Sequence, residues 1–275
     1  MTEDLKPPLA DEKKKSRPEG KRVTAPEWWV ERESHVLSRE YVEFELEVAR
    51  IIAEKTGLSL KEAGKQFTSY VRASVLYDGG KSFEGTSHSN ELADRLYAQL
   101  KRLNRTDNGE YHPTGSDQYG CFNFEYVSEW KMVRIHFDNR ERDDEGPLTE
   151  GKIAHRLTEL HDLFAAIKRK HPEVDTVVGG SWLYNLEAYK RLFPESYLKT
   201  PEADLSPRSL TVGYGVYGQF LDDHLEVKRD LTKWFITSLK SLEHVDAESV
   251  QSILPYKLLR VEGPIADFYE KYGVS

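Results

Sequence analysis

Residues 176–197 read "TVVGGSWLYNLEAYKRLFPESY". A β-branched apolar run meets Gly179-Gly180, then Ser181-Trp182-Leu183-Tyr184-Asn185, then a short amphipathic segment that stops at Pro194. Runs of that kind bounded by glycine signal a strand. The stretch therefore predicts a strand that turns into a short helix near Asn185. A helix start leaves main-chain N–H groups free for an anion or a carbonyl, and Asn185 is a residue type that caps one. Trp182 and Leu183 read as core. Tyr184 and Tyr189 have an apolar body and a polar tip, so either is able to show its hydroxyl to a cleft.

Working outward, the residues before this stretch form a matching unit. Ile153, Leu157, Leu160, Phe164 and Ile167 follow a helical spacing that opens behind Thr149 and Lys152 and ends at His171-Pro172. Further back, Phe122, Phe124 and Tyr126 alternate with Asn123 and Glu125, and Val133, Ile135 and Phe137 alternate with Met132, Arg134 and His136. Two alternating runs joined at Ser128-Glu129 predict an antiparallel hairpin. On the far side, "SLTVGYGVYGQFL" (209–221) reads as another strand, "KRDLTKWFITSLKSL" (228–242) as a helix, and the last thirty residues as helical packing. The order from about residue 120 is β-β-α-β-α-β-α, the signature of an α/β (α+β) domain on a mixed sheet with flanking helices.

The N-terminal half is different. Residues 1–26 hold seven Lys or Arg and five Asp or Glu with no apolar period, the composition of a disordered tail. Residues 27–110 read as helices. Leu37, Tyr41, Phe44, Val48 and Ile51 share one face, with Gly57 as C-cap. Ser59 and Glu62 form a capping box for a second helix with Ala63, Phe67, Tyr70 and Ser74 inward. Leu92, Leu96, Leu100 and Leu103 mark a third. The turn-rich segment 104–120 separates this region from an α/β domain over 118–275.

Composition narrows the function. The chain has 275 residues and a net charge of −8, with mean hydropathy −0.66. No apolar run reaches the roughly 18 residues of a membrane span, and no apolar segment follows the N-terminal charges as in a signal peptide. The expected setting is cytoplasmic, with no membrane partner. The acidic balance argues against nucleic acid as a partner and leaves a small-molecule substrate; oligomeric state is not encoded in these features. A single cysteine, Cys121, rules out an internal disulfide and reads as an inert buried thiol. His155 and His161 lie six apart on a helix, off a common face, so no metal site is expected. "GYGVYG" (213–218) matches the Gly-x-Gly-x-x-Gly spacing, but its alternation runs through the glycines rather than into a helix, which argues against a dinucleotide site.

One further set of residues points to a family. Ile135-His136, Gly146-Pro147-Leu148, the long helix to His171-Pro172-Glu173, Ser181-Trp182-Leu183, Phe193-Pro194 and a following "YGQF" strand together resemble the C-terminal acyltransferase domain of GNAT-like proteins, over residues 130–222. The resemblance implies a GNAT-like sheet that splays beside a central strand, with acyl-CoA as co-substrate in the wedge and no tightly bound cofactor. It implies that Asn185, Ala188 and Tyr189 stand near the pantetheine and sulfur. The usual pyrophosphate loop is replaced by "RERDDEGPLTEGK" (140–152), whose Asp143, Asp144, Glu145 and Glu150 repel phosphate.

The expected function is acyl transfer from a thioester to an amine or hydroxyl. His136 is the candidate base, and Tyr189 or Tyr184 the proton donor to the leaving thiolate. N–H groups around Gly180 and Ser181 would hold the carbonyl. The alternative is a non-catalytic ligand- or partner-binding module on the same fold, which the acidic loop favours. A hydrolytic alternative would need His112, His136 and Ser181 in one pocket.

Overall fold

In the computed structural model, residues 38–84, 89–106, 118–139, 146–199, 201–211, 216–222 and 224–275 are described. The expected disordered tail over 1–26, His112 and the acidic segment 141–145 lie outside them.

Ser38 accepts a hydrogen bond from the Tyr41 N–H and opens α1 (Arg39–Thr56), which ends at Gly57 in the left-handed conformation, φ 76°. Ser59 caps α2 (Leu60–Phe67). The sequence predicts one helix from here through Ser74, but the chain breaks at Thr68 and restarts as α3 (Tyr70–Asp78). The cause is a long-range cap. The buried Glu45 carboxylate accepts from the Ser69, Tyr70 and Val71 N–H groups and from the Ser69 hydroxyl, satisfying α3's free donors from a neighbouring helix. Desolvation pushes the Glu45 carboxyl up, against the pull of these hydrogen bonds. α4 (Ser89–Thr106) completes this group of helices.

The described residues then form β1 (Gln118–Tyr119), β2 (Phe122–Val127), β3 (Met132–Phe137), α5 (Ile153–Lys170), β4 (Thr176–Ser181), a 3-10 turn over Trp182–Asn185, α6 (Glu187–Lys190) and β5 (Glu202–Ala203). After these come α7 (Arg229–Ser241), α8 (Ala247–Ser252), β6 (Leu259–Pro264) and α9 (Ile265–Tyr272). The sheet order is β1-β2-β3-β4-β6-β5. Every neighbouring pair is antiparallel except β3 and β4, which α5 joins in parallel. The expected mixed α/β sheet is present.

Two expectations are corrected. Residues 216–220 form a 3-10 turn, not a strand, because Val216, Tyr217 and Phe220 turn into the helical core beside Phe44 and Phe235. The C-terminal thirty residues are not all helical: β6 inserts between β4 and β5.

The residues form two main cores. One lies under a single face of the sheet, where α5 contributes Leu160, Leu163, Phe164 and Ile167, and α9 contributes Phe268 and Tyr272. The other gathers α1 and α2 with α7, α8 and residues 216–221, so the helices between β5 and β6 pack with the N-terminal helices. Trp182 stacks on Tyr256 at 5.9 Å where the chain passes between the two.

Candidate functional site

The ladder between β3 and β4 runs from Met132↔Thr176 to Ile135↔Gly179 and stops there. Both strands continue. β3 stays paired with β2 as far as Phe122↔Phe137, and the Asp138 N–H donates to the Cys121 carbonyl at 2.8 Å. β4 stays paired with β6 as far as Ser181↔Leu259. The pairing between the sheet's two halves therefore ends before the strands do, leaving a gap in the ladder with His136 and Phe137 on one lip and Gly180 and Ser181 on the other. Main-chain groups along a strand face alternate neighbours, so one of Gly180 and Ser181 presents its N–H and C=O to the gap.

The two faces of this gap differ. On the core face lie Val133, Ile135 and Phe137 with Gly179 and Ser181. The chain after β4 folds back beneath them as an aromatic plug. Tyr184, Tyr189, Phe193 and Tyr197 are all buried, and the Tyr189 ring meets Phe137 edge-on at 5.5 Å. The Tyr184 and Tyr197 hydroxyls share a hydrogen bond of 2.9 Å, and the Tyr189 ring packs edge-on against Tyr184 at 5.1 Å. Burial pushes all three hydroxyls well above the ordinary tyrosine value. Gly179 admits this cluster: a Cβ there would stand 2.0 Å from the Tyr184 hydroxyl and 2.3 Å from that of Tyr197.

On the opposite face are His136 and Gly180, both exposed. A Cβ on Gly180 would meet nothing within 4 Å, so the space beside that residue is open. Although part of its ring reaches solvent, the protein packed around His136 holds the imidazole below its ordinary value of 6.5; Arg134 adds to this and Glu125 opposes it. The neutral form, able to accept a proton, is favoured. Arg134 is itself paired with Glu125 across the hairpin at 3.2 Å.

The sequence-predicted residues thus divide. His136, Gly180 and Ser181 come together at the lips of the gap. Tyr184 and Tyr189 lie behind the sheet, buried in the core. Asn185 does not cap the helix that follows, whose N-cap is Leu186; its side-chain N–H group donates to the Trp182 and Lys257 carbonyls at 2.7 and 2.9 Å and ties the turn after β4 to the segment entering β6. Ser181 likewise accepts from the Leu183 N–H at 3.1 Å. Two residues one strand behind the lips are absent from the sequence-predicted set. Asn123 faces His136 across the hairpin, and its alternation with Phe122 and Phe124 already placed it there. Arg260 is the β6 partner of Gly180, which an expected helical C-terminus hid.

Among the described residues no group of three His, Cys, Asp or Glu is arranged to hold a metal, and no helix is long and apolar enough to cross a membrane. The chain matches no protein-family model, no curated protein and no solved structure.

Proposed function

We propose that the parted β3–β4 pair is a GNAT-like acyl-transfer site that takes an acyl thioester from its open face. The observation that carries this reading is the ladder that ends at Ile135↔Gly179 while both strands run on. A gap of that kind offers an extended thioester the unpaired main-chain groups a third strand would use, and the resemblance over residues 130–222 implies such a wedge. The acceptor nitrogen or oxygen attacks the thioester carbonyl carbon and its proton passes to neutral His136. The carbonyl oxygen, as it gains charge, is held by the main-chain N–H at Gly180 or Ser181. The carbon–sulfur bond then breaks, and the sulfur leaves as a thiolate that takes a proton from water, because the tyrosine hydroxyls lie on the other face.

The thioester end of a CoA-like donor suits this gap better than its pyrophosphate suits the approach to α5, where Glu150 is exposed. Transfer from acetyl-CoA and a longer acyl-CoA to a panel of amines tests the reading. His136→Gln should lower turnover about 100-fold, within the range of general-base catalysis, with no change in melting temperature. Unchanged turnover removes His136 from the mechanism. The second reading is a ligand-binding module on the same fold, favoured because Tyr184 and Tyr189 are committed to the core and stand away from any thiolate. Binding of the thioester without acyl transfer would select it.

A further inference from the structure

Asn123 is 4% exposed, and its Oδ1 is buried with no hydrogen-bond partner among the described residues. Buried acceptors are almost always satisfied, so this one calls for an occupant. Its orientation is fixed by neighbours. Gln118 commits its side-chain N–H group to the Gly120 and Phe122 carbonyls at 2.7 and 3.0 Å. That leaves the Gln118 Oε1 to accept from the Asn123 Nδ2 at 3.4 Å, and turns Oδ1 into the free end of the amide. Asn123 is also the β2 partner of His136, so the two side chains share the face opposite the aromatic plug, His136 exposed and Asn123 covered, with Cβ atoms roughly 5 Å apart. Two acceptors therefore face each other across the hairpin: at the lip of the gap an imidazole whose surroundings favour its neutral form, and one strand further in an amide oxygen with no donor.

We infer that Asn123 is a specificity-determining residue of this site, requiring the ligand to bring it a second hydrogen-bond donor besides the one that meets His136. A primary ammonium spans both acceptors with two of its own N–H groups, and a vicinal amino alcohol does so with its nitrogen and its hydroxyl. A ligand with a single N–H leaves Oδ1 buried and unpaired, which a site built to hydrogen-bond that position penalises. The inference rests on the proposed reading only for the site's location; it concerns binding, not transfer.

The test uses the full chain and two probes, ethanolamine and trimethylammonium, which brings one N–H. NMR titration follows the Asn123 side-chain amide and the His136 ring. Ethanolamine should shift both together and bind about tenfold more tightly than trimethylammonium, the worth of one satisfied polar hydrogen bond. Asn123→Asp keeps an acceptor oxygen and should keep the preference; Asn123→Leu should abolish it, with the backbone spectrum away from the gap unchanged. Equal affinity for the two probes, no shift at Asn123, or a preference that survives Asn123→Leu overturns the inference. Acyl transfer is scored separately. A chain that prefers ethanolamine through Asn123 yet transfers no acyl group keeps this inference and ends the transferase reading. Transfer by Asn123→Leu with wild-type acceptor preference does the reverse.

Discussion

Gly179 and Gly180 are adjacent in the chain and face opposite sides of the sheet, and what surrounds them could hardly differ more. Gly179 is closed in by two tyrosine hydroxyls that leave no room for a methyl group; Gly180 looks into open space. One glycine is required by packing and the other stands at an accessible lip. The same sheet register thus gives the two strand ends a sealed side, which fixes their geometry, and an exposed side, where His136 stands with the buried Asn123 one strand behind it. On the proposed reading the tyrosines serve as structure, and chemistry falls to the imidazole and main chain.

Gly179→Ala should break the sealed side most. Forcing a methyl into a filled core costs about 1–3 kcal/mol, and both displaced hydroxyls here are buried, so the upper end is expected in urea unfolding. Gly180→Ala, one residue on, should stay within about 0.5 kcal/mol of the parent. Equal losses for the two would erase the contrast.

Tyr184→Phe comes next. It leaves the Tyr197 hydroxyl without its 2.9 Å partner and should cost about 1–2 kcal/mol, while leaving thioester turnover intact if the tyrosines serve packing alone. A variant as stable as the parent that has lost turnover would move Tyr184 back into the chemistry.

The smallest effect is electrostatic. The His136 imidazole has a folded pKa below its ordinary value of 6.5, so protons bind the unfolded chain more readily. Its contribution to stability is present above 6.5 and fades as pH falls through the unfolded value towards the folded one. The proposed turnover, in which the neutral ring is the base, should accordingly persist somewhat below pH 6.5. A pH profile whose acid limb is unchanged in His136→Gln would show that another group sets it.

How much of this was legible in the sequence follows from how local each signal is. The hairpin and α5 announce themselves because apolar periods of two and of 3.6 residues run through them, and β4 because a β-branched run ends on Gly179-Gly180. β6 does not: "LRVEGP" (259–264) has one buried apolar residue, Val261, between exposed polar ones, and only its neighbours β4 and β5 make it a strand. The break between α2 and α3 was hidden for a similar reason, since the carboxylate that caps α3 comes from Glu45, 25 residues before Tyr70. His136 was legible as a polar residue on the face that it shares with Arg134, alternating with Val133, Ile135 and Phe137. The fate of Tyr184 and Tyr189 was not, because a tyrosine's amphipathic character fits a cleft or a core equally well, and the hydroxyl of Tyr197 decides between them.

The central claim is that the parted strands receive a thioester on the Gly180 side. Titrating the chain with a non-hydrolysable acyl-CoA thioether while recording amide shifts tests it directly. The account predicts that Gly180, Ser181 and His136 move together and saturate, while the Tyr184 and Tyr197 signals hold still. Shifts centred on the tyrosines, or none at the lips of the gap, would contradict it.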